Sequence, residues 1–86
     1  MRVKEGDIVA FYLNSSYTLL FECEECGLVS KGLIQQLAVS AVAGSVVSLH
    51  NGQTEVVKDA DLLYDYDGCR KAFPTEVDIY QKAVGV

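Results

Sequence analysis

Positive charge is scarce in this chain. Its 86 residues include 7 lysines and arginines against 12 aspartates and glutamates, a net charge of −5, with a pI near 4.6. Such a chain is repelled by phosphate backbones, so direct nucleic-acid binding is not expected and basic surfaces become its natural targets. There is one histidine, and cysteine stops at three. An odd count does not suit a closed disulfide framework. Arg2 and Lys4 are followed by Glu5 and Asp7 rather than by an apolar run with a small-residue cleavage site. The expectation is a reduced, cytoplasmic setting in which thiols serve metal binding. No linker, repeat or low-complexity stretch divides the sequence, so residues 1–86 are read as a single domain with a small core.

Charge is also missing from the 18 residues between Gly32 and Leu49. Gln35, Gln36, Ser40, Ser45 and Ser48 interrupt this window, and Gly44-Ser45 breaks it. A membrane span is longer and more uniformly apolar, so no membrane partner is expected. Leu33, Ile34, Leu37, Ala38, Ala41 and Val42 recur instead at helical spacing. Ser30 offers an N-cap and Gly44 a stop. The pattern predicts a helix over 31–43 lying across a sheet, with strand as the alternative from Val39 to Leu49.

Strand signals surround that window. Ile8 to Leu13 is rich in strand formers. Tyr17 to Cys23 alternates, with Tyr17, Leu19, Phe21 and Cys23 on one face. Asn14-Ser15-Ser16 joins the two as a hairpin. Asn51-Gly52 between Val46–His50 and Gln53–Val57 marks a second hairpin, since a type I′ turn needs positive φ at both central residues. Lys58 to Gly68 reads as a short strand or one helical turn leading into a strand, and Thr75 to Ala83 as a strand or short helix. The fold class is therefore α+β: a small antiparallel sheet from two β-hairpins, one covering helix (31–43) and a zinc staple.

The staple rests on Cys23-Glu24-Glu25-Cys26-Gly27. Two cysteines at this spacing on a tight turn can hold one tetrahedral ion, and the glycine lets the backbone fold beneath the sulfurs. Cys69 and His50 complete a candidate set of four, Cys-x2-Cys-x23-His-x18-Cys, with an oxygen of Asp65 or Asp67 as the alternative to His50. Crosslinking such long loops helps a small domain most. The five residues Cys23 to Gly27 resemble the knuckle of zinc-ribbon domains. The second Cys-x-x-Cys pair of a ribbon is missing, and only Cys69 with Arg70 and Lys71 stands where it would be sought. A thiol-redox role is the weaker reading, because Glu24 and Glu25 oppose thiolate formation. Cys69 with His50 as nucleophile and base lacks an orienting group.

Between residues 55 and 78, seven acidic side chains outnumber three basic ones. The spacing of Asp59, Asp61, Asp65 and Asp67 does not fit an EF-hand. With Tyr64 and Tyr66 interleaved, these aspartates read either as a solvated face or as a surface for a basic partner, tyrosine supplying area and carboxylate supplying steering.

No nucleophile, base and open metal position can be assigned together, so a non-enzymatic interaction protein with structural zinc is expected. The Cys23/Cys26/Cys69 set and the Asp59–Asp67 strip on one short acidic chain are similar in profile to phage-encoded anti-CRISPR proteins, in particular metal-containing inhibitors of type II CRISPR nucleases. That resemblance implies binding to a basic, nucleic-acid-handling lobe of the nuclease and obstruction of DNA loading. The alternative is a zinc-stapled adaptor or assembly module.

Overall fold

The sheet begins with β1 (Ile8–Tyr12), which turns through Asn14 into β2 (Thr18–Lys31). Asn14 holds the turn: its side-chain oxygen accepts from the amides of Ser16 and Tyr17 at 2.9 and 3.2 Å. The computed structural model describes residues 3–57 and 60–85, and β2 is their spine. β3 (Ile34–Ala41) pairs with its second half, while β1 and β4 (Val47–His50) flank its first half. β5 (Gln53–Val56) adds to β4, β6 (Leu63–Asp65) to β3, and β7 (Cys69–Lys71) to β1. Every pairing is antiparallel. A short 3-10 turn, Tyr66–Gly68, joins β6 to β7, and α1 (Pro74–Val84) ends the described chain.

The β6–β7 connection forces the sheet to curl. Four inter-strand spacings separate β6 from β7 through β3, β2 and β1, about 19 Å in a flat sheet. The four Cα steps from Asp65 to Cys69 reach at most about 14 Å. The two margins must therefore approach each other. Leu19, Phe21 and Cys23 fill the inside of the curl with Val9, Val39, Val46, Tyr64 and Cys69. The intervening residues point the other way, as strand alternation requires. Ala10, Leu20 and Val47 form a second core that Tyr80 of α1 covers.

The expected helix over 31–43 is a correction: those residues form the end of β2, a turn and β3. Lys31 pairs with Ile34, so Gly32-Leu33 is a two-residue hairpin turn. Gly32 has φ +64°, the conformation that a type II′ turn asks of its first central residue. β3 then gains β2 on one edge and β6 on the other, and this pairing outweighs the helical spacing of its leucines and alanines. The single helix among the described residues is α1, over the segment read as strand or short helix. Pro74 starts it, and the Glu76 carboxylate accepts from the Phe73 amide at 2.8 Å. The Asn51-Gly52 hairpin stands as expected, with φ of 50° and 77°. No helix among the described residues is long and apolar enough to cross a membrane.

Candidate functional site

Cys23 and Cys26 lie in mid-strand, and this corrects the expected tight turn. β2 passes through both without a break. Three residues apart on a regular strand, their side chains would point to opposite faces. The pairing register shows why they do not. Cys23 faces Ala41 and Cys26 faces Val39, with a shift between Cys23 and Glu25. One residue, Glu24, is therefore extra, and a β-bulge returns the second cysteine to the face of the first. The Sγ atoms stand 3.7 Å apart. Cys26 Sγ donates to the Val3 carbonyl at 3.3 Å, so the thiol proton between the sulfurs belongs to Cys23.

Cys23 is buried and Cys26 half-buried, and neither forms a disulfide. The Cys23 pKa is pushed up to about 12, first by burial, then by its hydrogen bond to Cys26 and the charges of Cys26 and Asp7. A dithiol catalyst needs the opposite shift, toward thiolate at neutral pH. Cys69 is buried in the same core as Cys23, on β7 opposite Phe11.

His50 does not join the thiols. It closes β4 beside Tyr17, with the two rings stacked 4.3 Å apart. Nδ1 donates to the Ser16 carbonyl at 2.7 Å, and Nε2 accepts from Asn51 at 3.3 Å. Tyr17 immediately precedes β2 and lies six residues from Cys23, roughly 20 Å of extended chain. Among the described residues no group of three or more Cys, His, Asp or Glu is gathered in metal-binding geometry.

The acidic strip divides. Asp59 lies outside the described residues. Asp61, Asp65 and Asp67 are exposed. Tyr64 is a correction as a surface residue: it is 7% exposed and stacks on Phe21 at 4.6 Å. Strand alternation in β6 sends Leu63 and Asp65 outward and Tyr64 inward. Tyr66 is half-buried against the same core.

Those outward residues build a groove that the strip alone did not suggest. Leu63 pairs with Ser40, Asp65 with Ala38, Ala38 with Gly27, and Ser40 with Glu25. All these side chains share the outer face, and Val29 extends it along β2. The result is a shallow groove of about 410 Å³ with Glu25, Val29, Ala38 and Leu63 in its walls. A smaller hollow of about 170 Å³ continues it to Gln36 and Asp65. Its lining is mixed: Val29, Ala38 and Leu63 stand among Ser30, Ser40 and Gln36, with the carboxylates of Glu25 and Asp65 beside them. Past the β6 pairing, β2 and β3 continue as a two-stranded arm with Leu28 and Ile34 exposed at 70% and 69%. The period-two run Leu63-Tyr64-Asp65 could have revealed the groove residues of β6. The β3 contribution was hidden by the helical reading. No protein-family model matches this chain, and neither a curated protein nor a solved structure matches it.

Proposed function

We propose that this protein is a non-enzymatic binding module that takes a basic, partly apolar segment of a partner along its β2–β3–β6 face. The supporting observation is the groove itself, apolar along Val29, Ala38 and Leu63 and bounded by Glu25 and Asp65. The Glu25 and Asp65 carboxylates attract and orient a cationic segment, and the apolar side chains between the polar ones supply area that dehydrates on contact. A net charge of −5 adds long-range attraction to any basic surface.

The test uses a peptide of alternating leucine and lysine, with its glutamate counterpart as control, followed by amide shifts. The lysine peptide shifts residues 25, 29, 38, 63 and 65, and its affinity falls as salt rises. Glu25→Lys with Asp65→Lys keeps the fold and abolishes that response. Shifts spread over the whole surface, or equal for both peptides, would remove the reading. Inhibition of a type II CRISPR nuclease is the narrower proposal, supported by the profile resemblance and the acidic surface. Target cleavage that continues undiminished at saturating protein would discard that partner alone.

A structural zinc ion is a second reading, favoured by the thiol spacing. Two thiolates on a tetrahedral zinc, each at about 2.3 Å, stand about 3.7 Å apart. Cys23 and Cys26 have that separation as they stand. Cys69 would have to shift within the shared core to supply a third sulfur. Elemental analysis of protein purified without chelator decides it. One zinc per chain, lost together with the fold, supports the staple, and its absence with three titratable thiols ends it.

A further inference from the structure

The stretch of this chain that forms the β2–β3 arm has itself the chemistry that the β2–β3–β6 groove is suited to receive. The sequence holds 12 acidic residues, yet none lies between Glu25 and Glu55, and Lys31 is the one formally charged residue of that interval. Leu28, Leu33 and Ile34 are exposed along the arm. A lysine among apolar side chains, with no carboxylate nearby in sequence, matches a groove lined by Glu25, Val29 and Leu63. Over the acidic remainder of the surface two copies repel each other, so the acid-free arm is where they can meet.

The outer face is also self-complementary in shape. Strand alternation puts Gly27, Val29 and register position 31 of β2 on that face, opposite Ala38, Gln36 and Ile34 of β3. Gly27, Ala38 and Ser40 are small and line the hollow, and a Cβ added at Gly27 would meet only open space. Val29, Gln36 and Ile34, nearer the tip, are larger. A two-fold axis across the arm, between the pairs Gly27–Ala38 and Val29–Gln36, lays one arm end for end over the other. Val29 then sits over Gly27, Gln36 over Ala38, and Ile34 over Ser40 beside Leu63. Register position 31 of each copy falls over Glu25 of the other, once at each end of an overlap about 20 Å long.

From the acid-free arm and its fit to the groove at its own base, we infer that a second copy of this chain occupies the groove. The result is an isologous dimer in which each protomer supplies both an arm and a groove. This assignment rests on the groove proposed above and names its occupant. An overlap only two strands wide is at the small end of specific interfaces, which suits an occupant that a foreign basic segment can displace. The dimer therefore closes the face that the monomer offers.

The test is sedimentation equilibrium of the whole chain from about 1 µM to about 1 mM. The wild type passes from monomer to dimer mass and goes no further. Lys31→Glu and Glu25→Lys each weaken self-association by about tenfold, because like charges then face each other at both ends. An equimolar mixture of the two variants restores a dimer holding one copy of each, a rescue that unfolded chains could not give. The alternating leucine–lysine peptide returns the wild-type dimer to monomer mass. Monomer at every concentration overturns the inference, and if the peptide still shifts residues 25, 29, 38, 63 and 65 the groove reading survives that failure. A dimer indifferent to both substitutions overturns it, as do variants that mixing does not rescue and a dimer that keeps its mass with the peptide bound. A rescued dimer with a silent peptide upholds the second copy and removes the foreign segment.

Discussion

The sulfurs of Cys23 and Cys26 meet at 3.7 Å because Glu24 is an extra residue in β2. The bulge, rather than a turn, makes the pair. It also leaves the two thiols unequal, one buried and one half-buried.

That inequality sets an order of reaction. At pH 8, with no metal present, iodoacetamide should modify Cys26 well before Cys23, as read by peptide mass after timed quenching. The raised Cys23 pKa also makes stability pH-dependent. Its ordinary value is 9.0 and its folded value about 12. The folded state therefore holds the proton more tightly, so this contribution is complete below about pH 9 and drains away toward pH 12. Denaturant midpoints should fall across that window, and Cys23→Ala should flatten the decline.

Gly32 distinguishes hairpin from helix in one substitution. Within a helix over 31–43, Gly32→Ala would stabilise by about 1 kcal/mol. At φ +64° in the β2–β3 turn, the same change should destabilise by about 1–2 kcal/mol, the cost of a left-handed backbone for an L-residue. Urea unfolding of the two proteins gives the sign directly.

Arg70 ties α1 to β7. Its guanidinium donates to both oxygens of Glu76 at 2.7 and 2.9 Å and to the Tyr12 hydroxyl, and lies 4.1 Å over the Phe73 ring. Glu76→Gln should cost about 2 kcal/mol, within the range for a charged hydrogen bond. The hydrogen bond from Arg70 holds the Glu76 carboxyl below its ordinary value. Its contribution is therefore present above the unfolded-state pKa, about 4.3, and is lost as pH falls through the lower folded value. Acid melts of the wild type and of Glu76→Gln should converge below pH 4.

Tyr64→Phe removes a hydroxyl that has no partner and keeps the ring stacked on Phe21. The variant should be more stable by about 1 kcal/mol, a rise of roughly 4–8 °C in Tm for a domain of this size. Tyr64→Ala should instead cost about 3–5 kcal/mol through the cavity it leaves.

Local chemistry was legible where it acts within a few residues. Asn51-Gly52 announced its hairpin, because two adjacent positive φ angles suit few other pairs. Pro74 with Glu76 is a helix-start signal that decides between strand and short helix for Thr75 to Ala83. Period-two alternation placed Leu19, Phe21 and Cys23 on one buried face. The 31–43 segment misled because its leucines and alanines satisfy helical spacing, while the partners that make it a strand lie elsewhere: β2 just before it and β6 more than twenty residues after it.

By itself, the sequence determined the acidic surface, an antiparallel sheet with at least two hairpins, and two cysteines close along the chain. Those properties follow from composition and from interactions spanning a few residues. Only the tertiary structure decided that Glu24 bulges, that Tyr64 turns inward between two outward neighbours, that His50 stays with Tyr17 and away from the thiols, and that Glu25 and Asp65 bound one groove. Each of these depends on strand register. Register is set by which faces are buried once distant segments pair, and a shift of one residue would send every side chain to the other face.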